Sequence, residues 1–406
     1  MIDAGLYRRL FAELAAIGHE PGGWNRMAWG PGEDAARDWF RTTAAGLGLE
    51  ITQDPAGNLW AIEPGGEDGP FDAVGSHVDS VAVGGAFDGA LGVVTGLVAV
   101  EAARRAGGAR RPLAVGAMVD EEGPRFGAAI FGSRALCGEM DVEEVLARTD
   151  PEGNVLRDLA ALRGVTPEST RAAPEFLPRV ASWIEVHVEQ GRHLVDVPAP
   201  LAVATSLAAR ERWRCTVRGV SDHAGTAAMA GRRDALVPAA RAVIAAHELA
   251  LAEPGAVATV GRISALPGST NQVPGEARLS LDVRAPGQAA LERVRDGVHA
   301  AARAEGVETE WMLETAAPGC VFDEDLRSAL HAAARAEGSE AIDMPAYAGH
   351  DAGVLARHLP AAMLFVRNPT GISHNPAESA SEDDCLAACA VLARTLARAR
   401  MGPDPI

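Results

Sequence analysis

One short stretch of the sequence carries three side chains with the chemistry of a metal site. His77 and Asp79 follow apolar residues at 73–74, and Asp88 comes after a glycine-rich turn at 84–89. A strand that ends in Gly-Ser-His places its imidazole at the carboxyl edge of a sheet, where open α/β folds build their sites. An imidazole, a carboxylate that orients it and a second carboxylate that can bridge ions suit a divalent metal. The alternative is a strand–helix turn in which Asp88 only caps the following helix.

A second apolar run ends in three consecutive acids, Asp120, Glu121 and Glu122. The run itself, residues 113–119, is uniformly apolar, as is expected of a buried parallel strand near the first one. Two adjacent glutamates can divide the work, because one can ligate a metal while the other acts as general base on a water. The alternative is a solvated turn, which three acids in a row also fit.

Two more histidines stand at or near the ends of later strands. His187 lies on the polar face of the alternating stretch 181–191, a pattern that is also typical of the wet side of an edge strand. His374 follows the apolar stretch 361–366, much as His77 follows its own strand. A single loop histidine is weak evidence, but four strand ends that offer His, Asp and Glu together favour a shared centre.

The collected residues provide the mixed nitrogen and oxygen ligands that two neighbouring divalent metals require. The candidate ligands are His77, Asp88, Glu122, His187 and His374. Glu121 lies beside them and is the candidate base, which would take a proton from a water and return it to a leaving nitrogen. The inventory therefore predicts a dinuclear hydrolase acting on a carbonyl carbon.

The order of strands and helices predicts two domains, as does the length of 406 residues. Before residue 208 and after residue 317, strands alternate with helices, which is typical of an α/β domain with a mainly parallel central sheet flanked by helices. Between them, alternating strands and two helices indicate a smaller inserted α+β domain with an antiparallel sheet. We expect a catalytic domain at 1–207 and 318–406, interrupted by a domain at 208–317. The Gly/Pro-rich loop that holds Trp24 and Trp29 is expected to be exposed.

The composition excludes several classes of partner. A formal net charge of -18 argues against binding to nucleic acid or to anionic membranes, because their phosphates would be repelled. No apolar run reaches membrane-spanning length, and the N-terminus lacks the apolar core of a secretory signal. Five scattered cysteines fit reduced thiols, so we expect a cytoplasmic protein. An anionic substrate would need a local cationic site.

A series of short motifs resembles one known group of enzymes. In chain order they are GSHVDSV with GGAFDGALGV, DEEGPRFG with FGSRAL, EVHVEQG, HAGT, NQVPG, LDVR, GHDAG and GISHNPAE, from about residue 74 to residue 378. The chain is similar to the N-carbamoyl-L-amino-acid hydrolases and allantoate amidohydrolases, within the dinuclear aminoacylase/carboxypeptidase-like metallohydrolases. The resemblance implies a catalytic α/β domain interrupted by a lid domain that also forms a homodimer.

The resemblance also implies a role for each matched residue. The implied metal ligands are His77, Asp88, Glu122, His187 and His374. Asp88 would bridge the ions, Glu121 would be the base, and Asp79 would orient His77. His223 would polarise the scissile carbonyl from across the dimer, an oxyanion-hole role. The implied substrate-binding residues are Gln190, Asn271, Arg284 and His350, of which Asn271 and Arg284 would bind the substrate carboxylate. Without the motifs, a loop histidine and a strand-surface arginine would be ordinary features.

The resemblance implies hydrolysis of the ureido C–N bond of an N-carbamoyl-L-amino acid to the amino acid, carbon dioxide and ammonia. Two divalent ions per subunit, drawn from zinc, manganese, cobalt or nickel, would be the cofactors. Allantoate, ureidoglycolate or β-ureidopropionate would suit the same residues equally, and a dipeptide or N-acyl amino acid is a more distant alternative. A non-catalytic protein that binds a small ligand would lack a base or a metal ligand.

Two departures from the group's pattern bear on substrate choice. Ala82 and Val83 stand before the glycines where many relatives have Pro-Asn or a similar pair, and Arg367 lies close to the loop of His374. Neither departure removes a candidate ligand, so both concern specificity rather than catalysis.

Overall fold

The computed structural model of the protein describes residues 1–66, 69–107 and 111–398. The chain divides into two compact units. Unit 1 comprises Met1–Thr205, Phe322–Met344 and the chain from Gly349 onward, and unit 2 comprises Ser206–Val321 and Pro345–Ala348. The boundaries at 207/208 and 317/318, and the lid and dimerisation roles of the segment between them, stay predictions.

The helices and strands have these bounds in chain order. The helices are α1 (Ala4–Ala16), α2 (Pro31–Gly46), α3 (Ala90–Ala106), α4 (Phe131–Leu136), α5 (Val142–Leu146), α6 (Leu156–Ala161), α7 (Pro167–Ala172), α8 (His193–Asp196), α9 (Leu236–Ala252), α10 (Gln288–Ala301), α11 (Glu324–Ala336), α12 (Asp351–Leu355) and α13 (Glu382–Arg398). The strands are β1 (His19–Glu20), β2 (Gly23–Trp24), β3 (Glu50–Gln53), β4 (Leu59–Ile62), β5 (Phe71–His77), β6 (Leu113–Met118), β7 (Val180–Val188), β8 (Leu201–Leu207), β9 (Ala209–Arg218), β10 (Asp222–His223), β11 (Val257–Leu266), β12 (Gln272–Val273), β13 (Glu276–Ala285), β14 (Glu308–Ala317), β15 (Cys320–Val321), β16 (Ala341–Ala346) and β17 (Ala361–Val366).

The centre of the unit 1 sheet is parallel. The strands lie in the order β17, β7, β5 and β6, each parallel to its neighbour, with antiparallel β8 and β4 on either side. Every residue of β5, β6 and β17 is buried, as the uniformly apolar sequences of β6 and β17 predict. Strand β7 lies between β17 and β5 and is buried over residues 183–188, so the alternative of a wet edge strand is wrong.

Helix α3 approaches this sheet closely and begins just after Asp88. A Cβ on Gly92 would lie 2.1 Å from the carbonyl oxygen of Val186, so only glycine permits the observed spacing. Gly89 has φ 64 and faces His77, whose Cε1 would lie 2.4 Å from an added Cβ. These two glycines bring the start of α3, and Asp88 with it, against the strand ends.

Unit 2 is built on an antiparallel sheet. Within the described part of the chain its strands lie in the order β11, β13, β9 and β14. Along β9 and β13, buried residues alternate with partly or fully exposed ones, and the buried face packs with α9 and α10 around one apolar core. The opposite face of the sheet, which we call the open face, carries mainly charged side chains. The predicted fold class, an α/β domain with a mainly parallel sheet and an inserted α+β domain with an antiparallel sheet, is confirmed.

The helices of the described ranges include none that is both long and apolar enough to cross a bilayer.

Candidate metal centre

Four strand ends of unit 1 bring the predicted ligands together. His77 is the last residue of β5, and His187 lies next to the end of the parallel neighbour β7. Glu122 follows β6, and His374 follows β17. Parallel strands present their carboxyl ends at one edge of a sheet, so side chains from distant parts of the sequence meet there.

The first group of candidate ligands consists of His77, Asp88 and His187. Oδ1 of Asp88 lies 3.3 Å from Nε2 of His77 and 3.2 Å from Nε2 of His187. All three side chains are buried, and their ligand atoms lie within 4.8 Å of one another. One buried carboxylate oxygen facing two imidazole nitrogens can complete a metal site when an ion lies between them.

The second group consists of Asp88, Glu122 and His374. Nε2 of His374 lies 3.6 Å from Oδ2 of Asp88 and 3.3 Å from Oε2 of Glu122. Since Asp88 faces the first group with Oδ1 and the second with Oδ2, its carboxylate lies where a bridging ligand would be required. The structure therefore brings together all five predicted ligands, in two groups joined by Asp88.

The hydrogen bonds of the two buried histidines leave the correct nitrogen free for a metal. Nδ1–H of His77 donates to the carbonyl oxygen of Asp79 (3.1 Å), and Nδ1–H of His187 donates to that of Val188 (2.8 Å). A carbonyl only accepts, so each Nδ1 carries a proton, and Nε2 is the nitrogen that faces Asp88 and remains for a metal. Within the described residues, Nε2 of both histidines and Oε1 of Glu122 are buried without a hydrogen-bond partner. Buried polar atoms that lack a partner and face one another fit a bound cation.

The electrostatics of the neighbouring glutamates also fit a cation. Burial raises the pKa of Glu121 well above that of an ordinary carboxyl. Burial, with a further contribution from Asp88, raises the pKa of Glu122 to about 8. Both groups need nearby positive charge to ionise at neutral pH, and divalent ions would supply it.

The turn that carries these glutamates is buried and held on several sides. Asp79 accepts the backbone N–H groups of Glu121 (3.3 Å) and Glu122 (3.1 Å), and it also lies 3.4 Å from Nδ1 of His77. Asp120 has φ 53 and accepts a hydrogen bond from the indole of Trp29 (2.7 Å). Asp120 and Glu121 are buried, so the alternative of a solvated turn is wrong. Trp29 is 4% exposed, and the expectation of an exposed side chain there is also wrong.

Glu378 is a residue of this centre that sequence reasoning missed. Its Oε1 accepts the backbone N–H of Asp88 (2.9 Å), and its Oε2 accepts the hydroxyl of Ser373 (2.9 Å). One buried carboxylate thus connects the loop of Asp88 to the loop of His374. Burial, together with the charge of Asp88, raises the pKa of Glu378 to about 7. The only signal in the sequence was an acid four residues after His374, within the motif GISHNPAE.

The side chain of Asp88 faces the ligand groups and does not cap α3. Gly89 occupies the N-cap position, without a side-chain hydrogen bond. The alternative in which Asp88 only caps the helix is therefore wrong.

Two predicted substrate-binding residues lie beside the ligands. Gln190 donates from Nε2 to Oδ2 of Asp88 (2.9 Å), and the same atom lies 3.3 Å from Nε2 of His374. His350 is buried, and its ring centroid lies 4.5 Å from that of His187. Burial lowers the pKa of His350 well below that of a free histidine, so this ring is neutral.

The remaining predicted residues lie in unit 2. His223 is exposed on β10, and the backbone N–H of the next residue, Ala224, donates to the carbonyl oxygen of Asn271 (2.9 Å). Arg284 lies on β13, where Nε and Nη2 donate to Asp282 (2.9 and 3.3 Å) and Nη1 donates to the carbonyl oxygen of Tyr347 (3.0 Å). The roles of His223, Asn271 and Arg284 in catalysis stay predictions.

Arg367 is held by the first turn of α13. Its Nε donates to Oδ2 of Asp384 (3.0 Å) and its Nη2 to Oδ1 (3.1 Å). This bidentate pair occupies the edge of the guanidinium that would otherwise be offered to a substrate carboxylate.

The sequence model of peptidase family M20/M25/M40 matches residues 55–398. The chain belongs to this family. Its M20/M25/M40 membership accounts for the order of the motifs, which run through both units of the structure. The predicted enzyme class, a hydrolase, is confirmed.

Individual relatives of this M20/M25/M40 chain match it over nearly its whole length. The N-carbamoyl-L-amino acid amidohydrolase of Geobacillus stearothermophilus is 33% identical over 402 residues, which cover 96% of this chain and 97% of that protein. The allantoate amidohydrolase of Escherichia coli (strain K12) is 30% identical over 381 residues, covering 91% and 92%. The crystal structure of an amidase of the hydantoinase/carbamoylase family from Burkholderia multivorans has a TM-score of 0.86 and 31% identity and covers 99% of both chains. The predicted resemblance is confirmed.

Proposed function

We propose that this protein hydrolyses the ureido C–N bond of an N-carbamoyl-L-amino acid, releasing the amino acid, carbon dioxide and ammonia. The observation that carries the proposal is the carboxylate of Asp88 between two groups of ligands, with Glu121 beside them. A base next to two cation sites is what hydrolysis of an unreactive ureido carbonyl requires. The similarity to a carbamoyl amino acid amidohydrolase supports the choice of substrate.

Five residues would hold the two divalent ions. His77, Asp88 and His187 would bind one, and Asp88, Glu122 and His374 the other. A divalent ion in each group would acidify a nearby water and polarise the ureido carbonyl. The mixed imidazole and carboxylate set suits zinc, manganese, cobalt or nickel, which this ligand chemistry does not distinguish.

Glu121 would be the general base. Its Oε2 lies 3.7 Å from Nε2 of His77, so its carboxylate borders the first group. Glu121 takes a proton from the water as the water oxygen bonds to the ureido carbon, and it then passes the proton to the leaving nitrogen. Ammonia departs, and the N-carboxy amino acid that remains loses carbon dioxide to give the free amino acid.

Side chains outside the two groups would bind and orient the substrate. Arg284 and Asn271 would bind its carboxylate, and Gln190 and His350 would line the pocket. His223 of the partner subunit would donate to the ureido oxygen as charge develops there.

A homodimer formed through unit 2 is part of this proposal. Strand β11 is an edge of the antiparallel sheet and pairs with β13. Helix α9 comes directly before β11 in the chain. The exposed apolar side chains of α9 and β11 are Val237, Ile244, Leu251, Val257, Ile263 and Leu266. An apolar edge strand beside an apolar helix suits burial against a second copy. Localisation in the cytoplasm, and the expectation that neither nucleic acid nor membranes are partners, stay predictions.

Allantoate is the second candidate substrate. It is a ureido acid, and an allantoate amidohydrolase is among the relatives at 30% identity. Because allantoate also presents a ureido carbonyl and a carboxylate, the same residues would act on it.

Ammonia release distinguishes the candidates. The metal-depleted protein is reconstituted separately with zinc, manganese, cobalt or nickel and assayed with N-carbamoyl-L-amino acids, allantoate, ureidoglycolate and β-ureidopropionate. We expect the highest kcat/KM with an N-carbamoyl-L-amino acid. A higher value for allantoate would replace the first candidate by the second, and no ammonia from any ureido acid would contradict the proposal.

The Glu121→Gln variant tests the base. We expect the variant to keep its fold and its metal content but to lose about 10²- to 10⁴-fold in kcat, since the amide cannot accept the proton. Full turnover in this variant would remove Glu121 from the role.

A further inference from the structure

The open face of unit 2 carries a row of arginines, and most of them are paired with acids. The pairs on β9 and β13 are Arg212 with Asp282, Arg214 with Glu314, Arg218 with Glu310, Arg278 with Glu276, and Arg284 with Asp282. Arg210, at the start of β9, differs from all of these. None of the residues that the structure describes forms an ion pair or accepts a hydrogen bond from it, and its Nε is buried and unpaired.

The neighbours of Arg210 add positive charge rather than neutralise it. In the register of β9 and β13, Arg210 is directly opposite Arg284, and the next pair on the same face is Arg212 opposite Asp282. Opposed residues of an antiparallel pair point to the same face, where like charges destabilise the pair. Arg212 and Arg284 both pair with the carboxylate of Asp282, and Arg210 pairs with none of the described acids. These three guanidinium groups and one carboxylate leave two excess positive charges at this corner, within a chain of net charge -18.

Burial also removes hydration from this arginine without a compensating partner. Burial lowers the pKa of Arg210, and the charges of Arg212 and Arg284 lower it further. A partly desolvated cation that faces other cations is stabilised by an anion. A carboxylate matches the fork of a guanidinium with two parallel hydrogen bonds.

The donors of Arg284 are largely engaged, whereas those of Arg210 are free. Two nitrogens of Arg284 donate to Asp282, and the third donates to the carbonyl oxygen of Tyr347. Arg284 therefore has only its remaining N–H groups to offer a substrate. No described residue accepts a hydrogen bond from the two Nη groups of Arg210, so both can be offered to one carboxylate.

We infer that Arg210 is the principal binding residue for the carboxylate of the substrate, with Arg284 contributing from the opposite strand. The inference rests on the proposed function, because it assigns the carboxylate of the ureido acid to this corner of unit 2. It identifies Arg210 as a specificity residue that no motif of the sequence singled out.

The test compares three charge-neutralising variants. Arg210→Gln and Arg284→Gln each remove one guanidinium from the corner. Arg262→Gln is the matched control, because Arg262 is an exposed arginine on the same face, opposite Ser280 in the register of β11 and β13, and no acid among the described residues pairs with it. Thermal unfolding of all three variants reports whether the sheet is intact.

With an N-carbamoyl-L-amino acid, we expect Arg210→Gln to raise KM about 10- to 100-fold with kcat within about twofold, as loss of a charge-assisted hydrogen-bond pair predicts. Arg284→Gln raises KM less than Arg210→Gln does, and Arg262→Gln leaves KM unchanged. With the corresponding carboxamide, which has no negative charge, Arg210→Gln and wild type have the same kcat/KM. Arg210→Lys, which keeps the charge but loses the fork, falls between wild type and Arg210→Gln.

The outcomes separate this inference from the proposed function. Ammonia release by wild type, with Arg210→Gln behaving like Arg262→Gln, overturns the role of Arg210 and leaves the proposed function standing. An equal loss with the carboxylate and the carboxamide substrates also overturns it, because the effect would then not concern the carboxylate. Absence of turnover in wild type contradicts the proposed function. In that case calorimetric titration with N-carbamoyl-L-alanine still measures binding of the ligand. Equal affinities of Arg210→Gln and Arg262→Gln for this ligand overturn the inference.

Discussion

The two groups of candidate ligands share Asp88 but differ in how the fold holds them. In the first group, His77 and His187 belong to buried parallel strands, and a carbonyl oxygen fixes each ring through Nδ1. In the second group, His374 belongs to a loop, has φ 53, and its side chain is 47% exposed. The first group is organised by the sheet, whereas the second depends on loops that other side chains must hold in place.

The two groups therefore differ in how firmly the fold fixes their ligands. Strand-borne ligands keep their positions because the sheet cannot move locally without loss of packing. Loop-borne ligands are held by a few hydrogen bonds, chiefly those of Glu378 to the backbone of Asp88 and to Ser373. We therefore expect the first group to bind a metal more tightly than the second.

Asp88→Asn is expected to have the largest effect, because it alters the residue that both groups share. The amide keeps the shape but offers one neutral oxygen in place of a bridging carboxylate. Both ions should bind more weakly, and kcat should fall more than about 10³-fold. Elemental analysis of the reconstituted variant and its turnover check this expectation. Two ions per subunit together with near-normal turnover would show that Asp88 does not join the groups.

Truncation of one histidine from each group compares the groups directly. His374→Ala should lose the second ion while it keeps the first, with little change in the stability of the metal-free protein, since the side chain is half exposed. His187→Ala should lose the first ion and also destabilise the metal-free protein by about 1–3 kcal/mol, because a buried side chain is removed. Metal content and chemical denaturation measure both effects. Equal stability losses in the two variants would contradict the distinction between a strand-held and a loop-held group.

Glu378→Ala should have a smaller and more selective effect. Without the carboxylate, the loops of Asp88 and His374 lose their shared acceptor, and we expect about 10- to 100-fold weaker binding of the second ion. The matched control is Glu382→Ala, which removes an exposed acid four residues later that pairs with Arg8. Calorimetric titration of metal into the two variants makes the comparison. An equal loss for both ions in Glu378→Ala would assign Glu378 to general folding instead.

His299 in unit 2 shows what a partly buried imidazole looks like when no carboxylate in the described part of the chain pairs with its Nε2. Its ring lies between Trp213 and Trp311, with centroid distances of 4.8 and 4.0 Å, and its Nε2 has no partner among the described residues. Burial, with a contribution from Arg295, lowers the pKa of His299 to about 4.

The folded pKa of His299 therefore lies below that of an unfolded histidine, so the unfolded state binds the proton first as the pH falls. This group should add to stability above about pH 6.5 and lose that contribution between about pH 6.5 and 4. His299→Phe should flatten the pH dependence of unfolding in that window. If the free energy of unfolding depends on pH in the same way in the variant, His299 does not contribute to that dependence. If added metal changes the titration of His299 in wild type, the contrast with the candidate ligand histidines is wrong.

The sequence was sufficient to predict that the candidate ligands lie close together, because the rule that finds them is topological. Whether they bind metals stays a prediction. Glu122 and His374 follow uniformly apolar strands, and His77 ends a strand with the apolar residues 73–74. Such strands meet at one edge of a parallel sheet. The order of the motifs also led to the family. Neither signal depends on which rotamer or which neighbour a side chain adopts in the folded chain.

The residues that were missed depend on partners that are remote in sequence. In the sequence, Trp29 belongs to a Gly/Pro-rich loop. In the structure, its indole N–H donates to Asp120, 91 residues later in the chain. Glu378 acts on Asp88 across 290 residues. The pairing of Arg284 with Asp282, while Arg210 on the opposite strand stays unpaired among the described residues, follows from the register of two strands and not from any motif.

The metal content of the reconstituted protein tests most directly whether Asp88 joins two cation sites. Titration of the metal-free protein with zinc or manganese, followed by elemental analysis after removal of free ions, gives the number bound per subunit. We expect two ions in wild type, bound in two steps of different affinity, and a single ion in His374→Ala. One ion or none in wild type, or two in His374→Ala, would contradict the arrangement of the centre.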